Sequence, residues 1–151
     1  MGLEYTAVAP EKYFPPKEIV DKCKEIAKET GAVIKLESDV GKAVENADVI
    51  YTDVWVSMGE KEEVWKERIK DLLPYQVNSS VMEKAGKDAI FLHCLPSFHD
   101  LETEIGVDIF NKYGLSAMEV TDDVFQSPAS LVFDEAENRM HTIKAVMALT
   151  L

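Results

Sequence analysis

The stretch Ala47-Asp48-Val49-Ile50-Tyr51 is short and mostly apolar, and a polar loop follows it directly. A second stretch of the same kind, Ala89–His93 (AIFLH), also leads straight into a polar loop. Short apolar runs bounded by turn residues are typical of strands buried in a parallel sheet. These two stretches are therefore predicted to be buried strands of a sheet.

The segments around these strands alternate between strand and helix patterns. Residues 17–30, for example, carry apolar side chains three and four positions apart and are followed by Gly31, as an amphipathic helix often is. The alternation predicts a Rossmann-like, doubly wound, mainly parallel five-stranded sheet with helices on both faces. The other predicted strands are 5–9, 32–36 and 117–120, and the other main helices are 61–73, 79–85 and 130–151.

Length and charge narrow the possible classes of function. The chain has 151 residues, which predicts one domain over 1–151, and its net charge is −12. Nucleic acids and anionic membrane surfaces require clustered Lys and Arg, so neither is an expected partner. No apolar run approaches the roughly 18 residues of a membrane span, and the N-terminus lacks a secretory pattern. Since Cys23 and Cys94 lie far apart and form no disulfide framework, the expected location is cytoplasmic.

Cofactor and metal signatures are missing from the sequence. Neither a G-x-G-x-x-G nor a G-x-x-x-x-G-K-[ST] segment is present, so the phosphate cradles of dinucleotide and P-loop proteins are not predicted. The three histidines, His93, His99 and His141, have no zinc-ligand spacing. We therefore expect no cofactor and no metal.

The loop after the third predicted strand is the first candidate site, because ligands of such folds bind at the carboxyl ends of the strands. It contains Asp53, Ser57, Met58 and Gly59. Asp53 could hold a cationic amine through a charge-assisted hydrogen bond, Ser57 adds a hydroxyl, and Met58 offers an adaptable apolar wall. The same residue types also form turns and helix caps without any ligand, and composition alone leaves that alternative open.

The loop after the fourth predicted strand carries Cys94 and Leu95. A reactive thiolate needs a nearby cation or helix N-terminus, which His93 or His99 could supply. Neighbouring residues on an extended segment point in opposite directions, however, so a Cys-His pair cannot be inferred from adjacency. A buried, inert thiol or a binding role in a pocket is therefore favoured over nucleophilic catalysis by Cys94.

The chain has two arginines, Arg68 and Arg139. Arg68 lies among acidic residues of a predicted helix and is expected to be a solvated helix charge. Arg139 could form an ion pair with Glu135, one turn earlier in the last helix. Alternatively, Arg139 could bind an anion at the strand ends.

Three segments together resemble the second half of ornithine carbamoyltransferase. They are Asp53–Gly59 (DVWVSMG), His93–Leu95 with Pro96 (HCLP), and Glu137–Arg139 (ENR). This resemblance covers essentially the whole chain. The family transfers a carbamoyl group from carbamoyl phosphate to the δ-amine of L-ornithine, giving citrulline and phosphate without a metal or covalent intermediate. One domain of these enzymes binds carbamoyl phosphate, and this chain resembles the other, which binds the amino acid.

The resemblance also implies a role for each matched residue. Asp53, Ser57 and Met58 would contact ornithine, with Asp53 at the α-amino group. Cys94 and the Leu95 backbone would face the δ-amine and the carbamoyl group, and Cys94 would position and deprotonate the amine. Arg139 would reach carbamoyl phosphate, which makes Cys94 and Arg139 the expected catalytic residues. The segment 97–100 resembles forms that include catabolic members of the family.

Other family signatures are absent from these 151 residues, namely Ser-x-Arg-Thr and His-Pro-x-Gln. Carbamoyl phosphate is an anion that needs several convergent donors, and a chain with two arginines is not expected to supply them. We therefore expect an inactive ornithine-binding half that lacks the carbamoyl phosphate domain. Two alternatives are a stand-alone amino-acid-binding or regulatory module and a split enzyme completed in trans. The complete enzyme is expected to be an oligomer, and the oligomeric state of this chain is left open.

Overall fold

The computed structural model describes residues 2–57 and 59–151. The chain divides into two compact units, Met1–Glu45 and Asn46–Leu151. We describe each unit by itself. Within the described residues, no helix combines the length and the apolar character needed to cross a membrane.

The first unit contains a pair of parallel strands. Strand β1 (Glu4–Val8) pairs with β2 (Val33–Glu37) in a register that runs from Glu4 opposite Val33 to Val8 opposite Glu37. A 3-10 turn (Glu11–Tyr13) and helix α1 (Lys17–Thr30) connect them, and the short helix α2 (Val40–Ala43) follows. Gly31 ends α1 in the left-handed conformation, at φ 74°, as predicted. Asp39 caps α2 by accepting a hydrogen bond from the Lys42 backbone N–H.

The second unit contains the other pair of parallel strands, β3 (Val49–Thr52) and β4 (Ile90–His93). Their register runs from Val49 opposite Ile90 to Thr52 opposite His93. Five helices accompany them in the described part of this unit. They are α3 (Glu62–Leu72), α4 (Ser79–Ala85), α5 (Glu104–Tyr113), α6 (Asp122–Phe125) and α7 (Val132–Thr150), and a 3-10 turn (Leu73–Tyr75) follows α3.

Helices and parallel strands confirm the α/β class, but the predicted five-stranded sheet is not found among the described residues. Four strands form two separate pairs. The segment 117–120 makes only an isolated parallel bridge between Val120 and Val77. Its backbone groups form other hydrogen bonds. The Gln76 side chain donates to the carbonyls of Ala117 and Met118, and the Met118 N–H donates to the Phe98 carbonyl. The Rossmann-like, doubly wound arrangement remains a prediction.

The residues just before helix α7 are hydrogen-bonded to β4 in the second unit. The Phe91 N–H donates to the Ala129 carbonyl and the Leu131 N–H donates to the Phe91 carbonyl, so the residues before α7 continue the pairing of β4. Phe91 is fully buried, and Val132 at the start of α7 is almost fully buried. The first turn of α7 is thereby fixed beside β4.

The rest of α7 presents apolar side chains to solvent. Phe133 is 66% exposed, Met140 55% and Met147 51%, and Ile143, Val146 and Leu149 are exposed as well. The sequence predicted a long helix over 130–151, and the helix is present. Such a stretch is typical of a surface that packs against another protein or domain.

Candidate functional site

The ends of β3 and β4 bring two of the predicted site residues together. Thr52 lies opposite His93 in the parallel register, so Asp53 and Cys94 follow side by side. The Cys94 Sγ donates a hydrogen bond of 2.9 Å to Asp53 Oδ1. The same carboxylate oxygen accepts a 2.7 Å bond from the Val54 N–H, which fixes its direction. The carboxyl ends of the strands thus carry a thiol and a carboxylate in contact, as the parallel-sheet rule anticipates.

The Cys94 thiol is held in its protonated form. Burial, then the hydrogen bond to Asp53 and the negative charge of Asp53, raise the pKa of Cys94 to about 11. A nucleophilic cysteine requires the opposite shift. Cys94 therefore has the character of a neutral donor, and a thiol that keeps its proton is not the base that the resemblance implied for the amine.

His93 supports the Cys94 loop from behind. Both His93 and Glu119 are fully buried, and His93 Nε2 lies 3.2 Å from Glu119 Oε1. The same Glu119 oxygen accepts a 2.7 Å bond from the Phe98 N–H, and His93 Nδ1 contacts the Cys94 carbonyl. The buried carboxylate therefore holds the Phe98 end of the loop by a hydrogen bond and lies beside His93 at the other end, where Nε2 has no hydrogen-bond partner among the described residues. Sequence analysis missed Glu119, although an acidic residue inside an apolar run (AMEV) was a usable signal.

Two further groups of the site come from positions that the sequence analysis did not assign to it. The Tyr51 hydroxyl and the Glu135 carboxylate interact, and Glu135 also acts electrostatically on Cys94. Although Tyr51 is 56% exposed, partial desolvation of its hydroxyl, followed by the charge and hydrogen bonding of Glu135, raises the pKa of Tyr51 to about 12. Glu135 Oε2 is buried without a hydrogen-bond partner. Asp53 and Glu135 thus approach the neutral thiol from a strand end and from the first turns of α7.

Arg68 corrects one expectation from the sequence. It is not a solvated helix charge, because its Nη1 donates a 2.9 Å bond to the Trp55 carbonyl. Its Nη2 lies 3.1 Å from Glu60 Oε1 in an ion pair, and Glu60 Oε2 accepts a 2.9 Å bond from the Ser57 N–H. Arg68 and Glu60 thereby fasten the loop that carries Ser57 to α3. The sequence spacing could not reveal this contact, since Arg68 has acidic neighbours on its own helix.

The remaining predicted residues lie around this centre to different degrees. Leu95 directly follows Cys94 and is 40% exposed. Arg139 lies on the exposed surface of α7, and within the described residues it forms no ion pair with Glu135, so the alternative of a helix-surface pair is not realised. Met58 falls outside the described residues.

One group in the described part of the chain has metal-ligand spacing. Single ligand atoms of His99, Asp100 and Asp122 all lie within 4.8 Å of one another. His99 Nδ1 is 2.8 Å from Asp122 Oδ1, and the imidazole stacks on Phe125. The histidine is therefore already held by a carboxylate and an aromatic ring, and the sequence expectation of no metal stays a prediction.

The sequence of this chain is similar to that of known carbamoyltransferases. The family model for the aspartate/ornithine-binding domain of aspartate/ornithine carbamoyltransferases matches residues 1–150. The chain belongs to this family. It is 57% identical over 152 aligned positions to an ornithine carbamoyltransferase of Staphylococcus aureus strain Newman, covering 100% of this chain and 46% of that protein. It is also 57% identical over 151 positions to a catabolic ornithine carbamoyltransferase of Treponema denticola, covering 45% of its length.

A solved structure of this carbamoyltransferase family is also similar to the chain. The ornithine carbamoyltransferase from Pyrococcus furiosus superimposes with a TM-score of 0.81 at 41% identity. The match covers 98% of this chain and 42% of the other. The chain thus spans less than half the length of the relatives that it matches.

Proposed function

We propose that this chain is the ornithine-binding half of an ornithine carbamoyltransferase. Together with a carbamoyl phosphate-binding half, it would transfer the carbamoyl group to the δ-amine of L-ornithine and release citrulline and phosphate. The observation that carries the proposal is the contact between Asp53 and the Cys94 thiol at the ends of β3 and β4. The family membership and the names of the relatives support it.

The charges at this site favour ornithine over aspartate. Asp53 and Glu135 are acidic, and Cys94 and Tyr51 are acids whose pKa values are raised so that both stay neutral at pH 7. An ammonium group compensates such a set, whereas the side-chain carboxylate of aspartate would add a like charge. In the proposed binding mode Asp53 and Ser57 hold the α-amino end, Met58 lines the aliphatic part, and Cys94 with the Leu95 backbone faces the δ-amine.

The mechanism follows from the neutral thiol and from proximity. After the ammonium has lost its proton to solvent, an N–H of the neutral δ-amine can donate to the sulfur of the protonated Cys94, which leaves the nitrogen lone pair free to attack the carbamoyl carbon. Arg139 would bind carbamoyl phosphate from this side, while the other half would supply most of the anion site. Holding both substrates at attack distance is the main catalytic effect available to such a site.

The exposed apolar residues of α7 favour half of an enzyme over a stand-alone module. A stand-alone amino-acid-binding or regulatory module would cover Phe133, Met140 and Met147, which instead are half or more exposed. We propose that these side chains pack against the carbamoyl phosphate-binding half, present on the same polypeptide or supplied in trans. We also propose a Rossmann-like arrangement of the strands, a cytoplasmic location, and no nucleic acid or membrane partner, on the strength of the composition and net charge.

The proposal is tested by titrating the chain with L-ornithine and, separately, with L-aspartate while amide chemical shifts are followed by NMR. We expect saturable shifts with ornithine at residues of the β3 and β4 ends, and none there with aspartate. Preference for aspartate, or shifts confined to other surfaces, would contradict the proposal.

A further inference from the structure

The family resemblance assigns no role to Glu135, yet its carboxylate acts on Tyr51 and Cys94 at the candidate site. The pairing of Phe91 with Ala129 and Leu131 fixes the start of α7 beside β4. The Glu135 N–H donates to the Leu131 carbonyl at 2.9 Å, so Glu135 is one turn from that anchor. Helix α7 contacts β4, so a side chain one turn from this anchor lies near that strand.

The surroundings of Glu135 supply neutral donors but no cation. Its carboxylate interacts with the Tyr51 hydroxyl and acts on Cys94, while Arg139, one turn later, is exposed and makes no ion pair with it in the described part of the chain. Glu135 Oε2 is buried with its hydrogen-bonding capacity unused. A buried carboxylate oxygen without a partner is costly unless a ligand satisfies it.

We propose that Glu135 binds the side-chain ammonium of the amino-acid substrate. This inference rests on the proposed function, in which Asp53 takes the α-amino end. Asp53 and Glu135 both act on Cys94, and in this proposal they divide the two ammonium groups of ornithine between them. Tyr51 positions the carboxylate by donating its hydroxyl proton and does not itself contact the substrate.

L-Norvaline is ornithine without its δ-amine. Comparing the two ligands therefore tests the proposed contact between Glu135 and the δ-ammonium group. The test measures the dissociation constants of L-ornithine and L-norvaline by NMR titration of the 151-residue chain, its Glu135→Gln variant and an Asp134→Asn control. Asp134 is an exposed neighbour on α7, so the control removes the same charge from the same helix. Glutamine keeps the shape of glutamate but cannot form the charge-assisted bond.

We expect Glu135→Gln to weaken ornithine binding about tenfold, the order of one charge-assisted hydrogen bond, and to leave norvaline binding within about twofold. Norvaline binding also reports that the variant is folded. Equal losses for both ligands, or unchanged ornithine binding, would overturn the role of Glu135 while leaving the proposed function intact. If neither ligand binds the unmodified chain, the proposed function fails and this inference fails with it.

Discussion

The Cys94 thiol donates a 2.9 Å hydrogen bond to Asp53, and the two residues follow directly after paired positions of neighbouring parallel strands. The register of β3 and β4 therefore sets the chemistry of the site. The carboxylate keeps the thiol protonated, and the thiol in turn orients the carboxylate.

The first prediction concerns the reactivity of that thiol. With a pKa of about 11, only about one Cys94 in a thousand is a thiolate at pH 8. Replacing Asp53 with Asn removes the negative charge, so the pKa of Cys94 should fall and its alkylation by iodoacetamide should speed up at least several-fold. Peptide mass spectrometry follows both cysteines, and the exposed Cys23 serves as the internal reference. An unchanged or slower rate at Cys94 would contradict the assigned coupling.

A second prediction concerns the buried Glu119. In Glu119→Ala the Phe98 N–H loses its acceptor and the buried His93 ring loses its 3.2 Å neighbour, so we expect a loss of about 2 kcal/mol in the free energy of unfolding. Urea denaturation measures the change. The control, Glu83→Ala, truncates an exposed residue of α4 and should stay within about 0.5 kcal/mol. If the two variants were equally stable, the structural role assigned to Glu119 would be wrong.

Arg68 gives a third prediction. The Arg68→Ala variant loses the bond to the Trp55 carbonyl and the ion pair with Glu60, both of which are partly buried, so we expect a destabilisation of about 1 kcal/mol. The matched control is Arg139→Ala, which removes the other arginine from an exposed position. Thermal unfolding distinguishes them, and a larger loss for Arg139→Ala would be the opposite of what the contacts imply.

The fourth prediction concerns catalysis by the chain alone. The 151 residues contain no Ser-x-Arg-Thr segment, and Arg68 is engaged in fastening a loop, so one arginine remains for an anion. We expect no citrulline above the uncatalysed rate when the chain is given carbamoyl phosphate and L-ornithine. Adding a separately produced carbamoyl phosphate-binding half tests completion in trans. Turnover by the chain alone would refute the division of the site between two halves.

Local patterns predicted much of this fold. Helices α1 and α4 begin and end where the apolar spacing and the flanking Pro, Asn and Gly residues indicate, and β1 to β4 lie within two residues of their predicted bounds. The segment 117–120 failed as a strand because the Gln76 side chain and the 98 loop take up its backbone groups. The apolar pattern of a segment does not show which distant side chains will bond to its backbone. The loss of this predicted strand could therefore not be foreseen from the sequence.

The site also contains residues that the sequence predicted and residues that it did not. Asp53 and Cys94 were predictable because each directly follows a strand of a parallel pair. Glu135, Glu119 and Arg68 reach the two loops from α7, from the segment before α6 and from α3. Their parts depend on tertiary contacts, and for Arg68 the nearby charges on its own helix suggested a different and simpler role.

The most direct test of the central claim is a titration of the chain with L-ornithine, compared with Asp53→Ala and an Asp88→Ala control that removes an exposed carboxylate elsewhere. If this chain is the ornithine-binding half, the unmodified chain and the control should bind ornithine equally. Asp53→Ala should bind at least about tenfold more weakly, because it loses a charge-assisted contact. Ornithine affinity that is unaffected by Asp53→Ala would contradict the account.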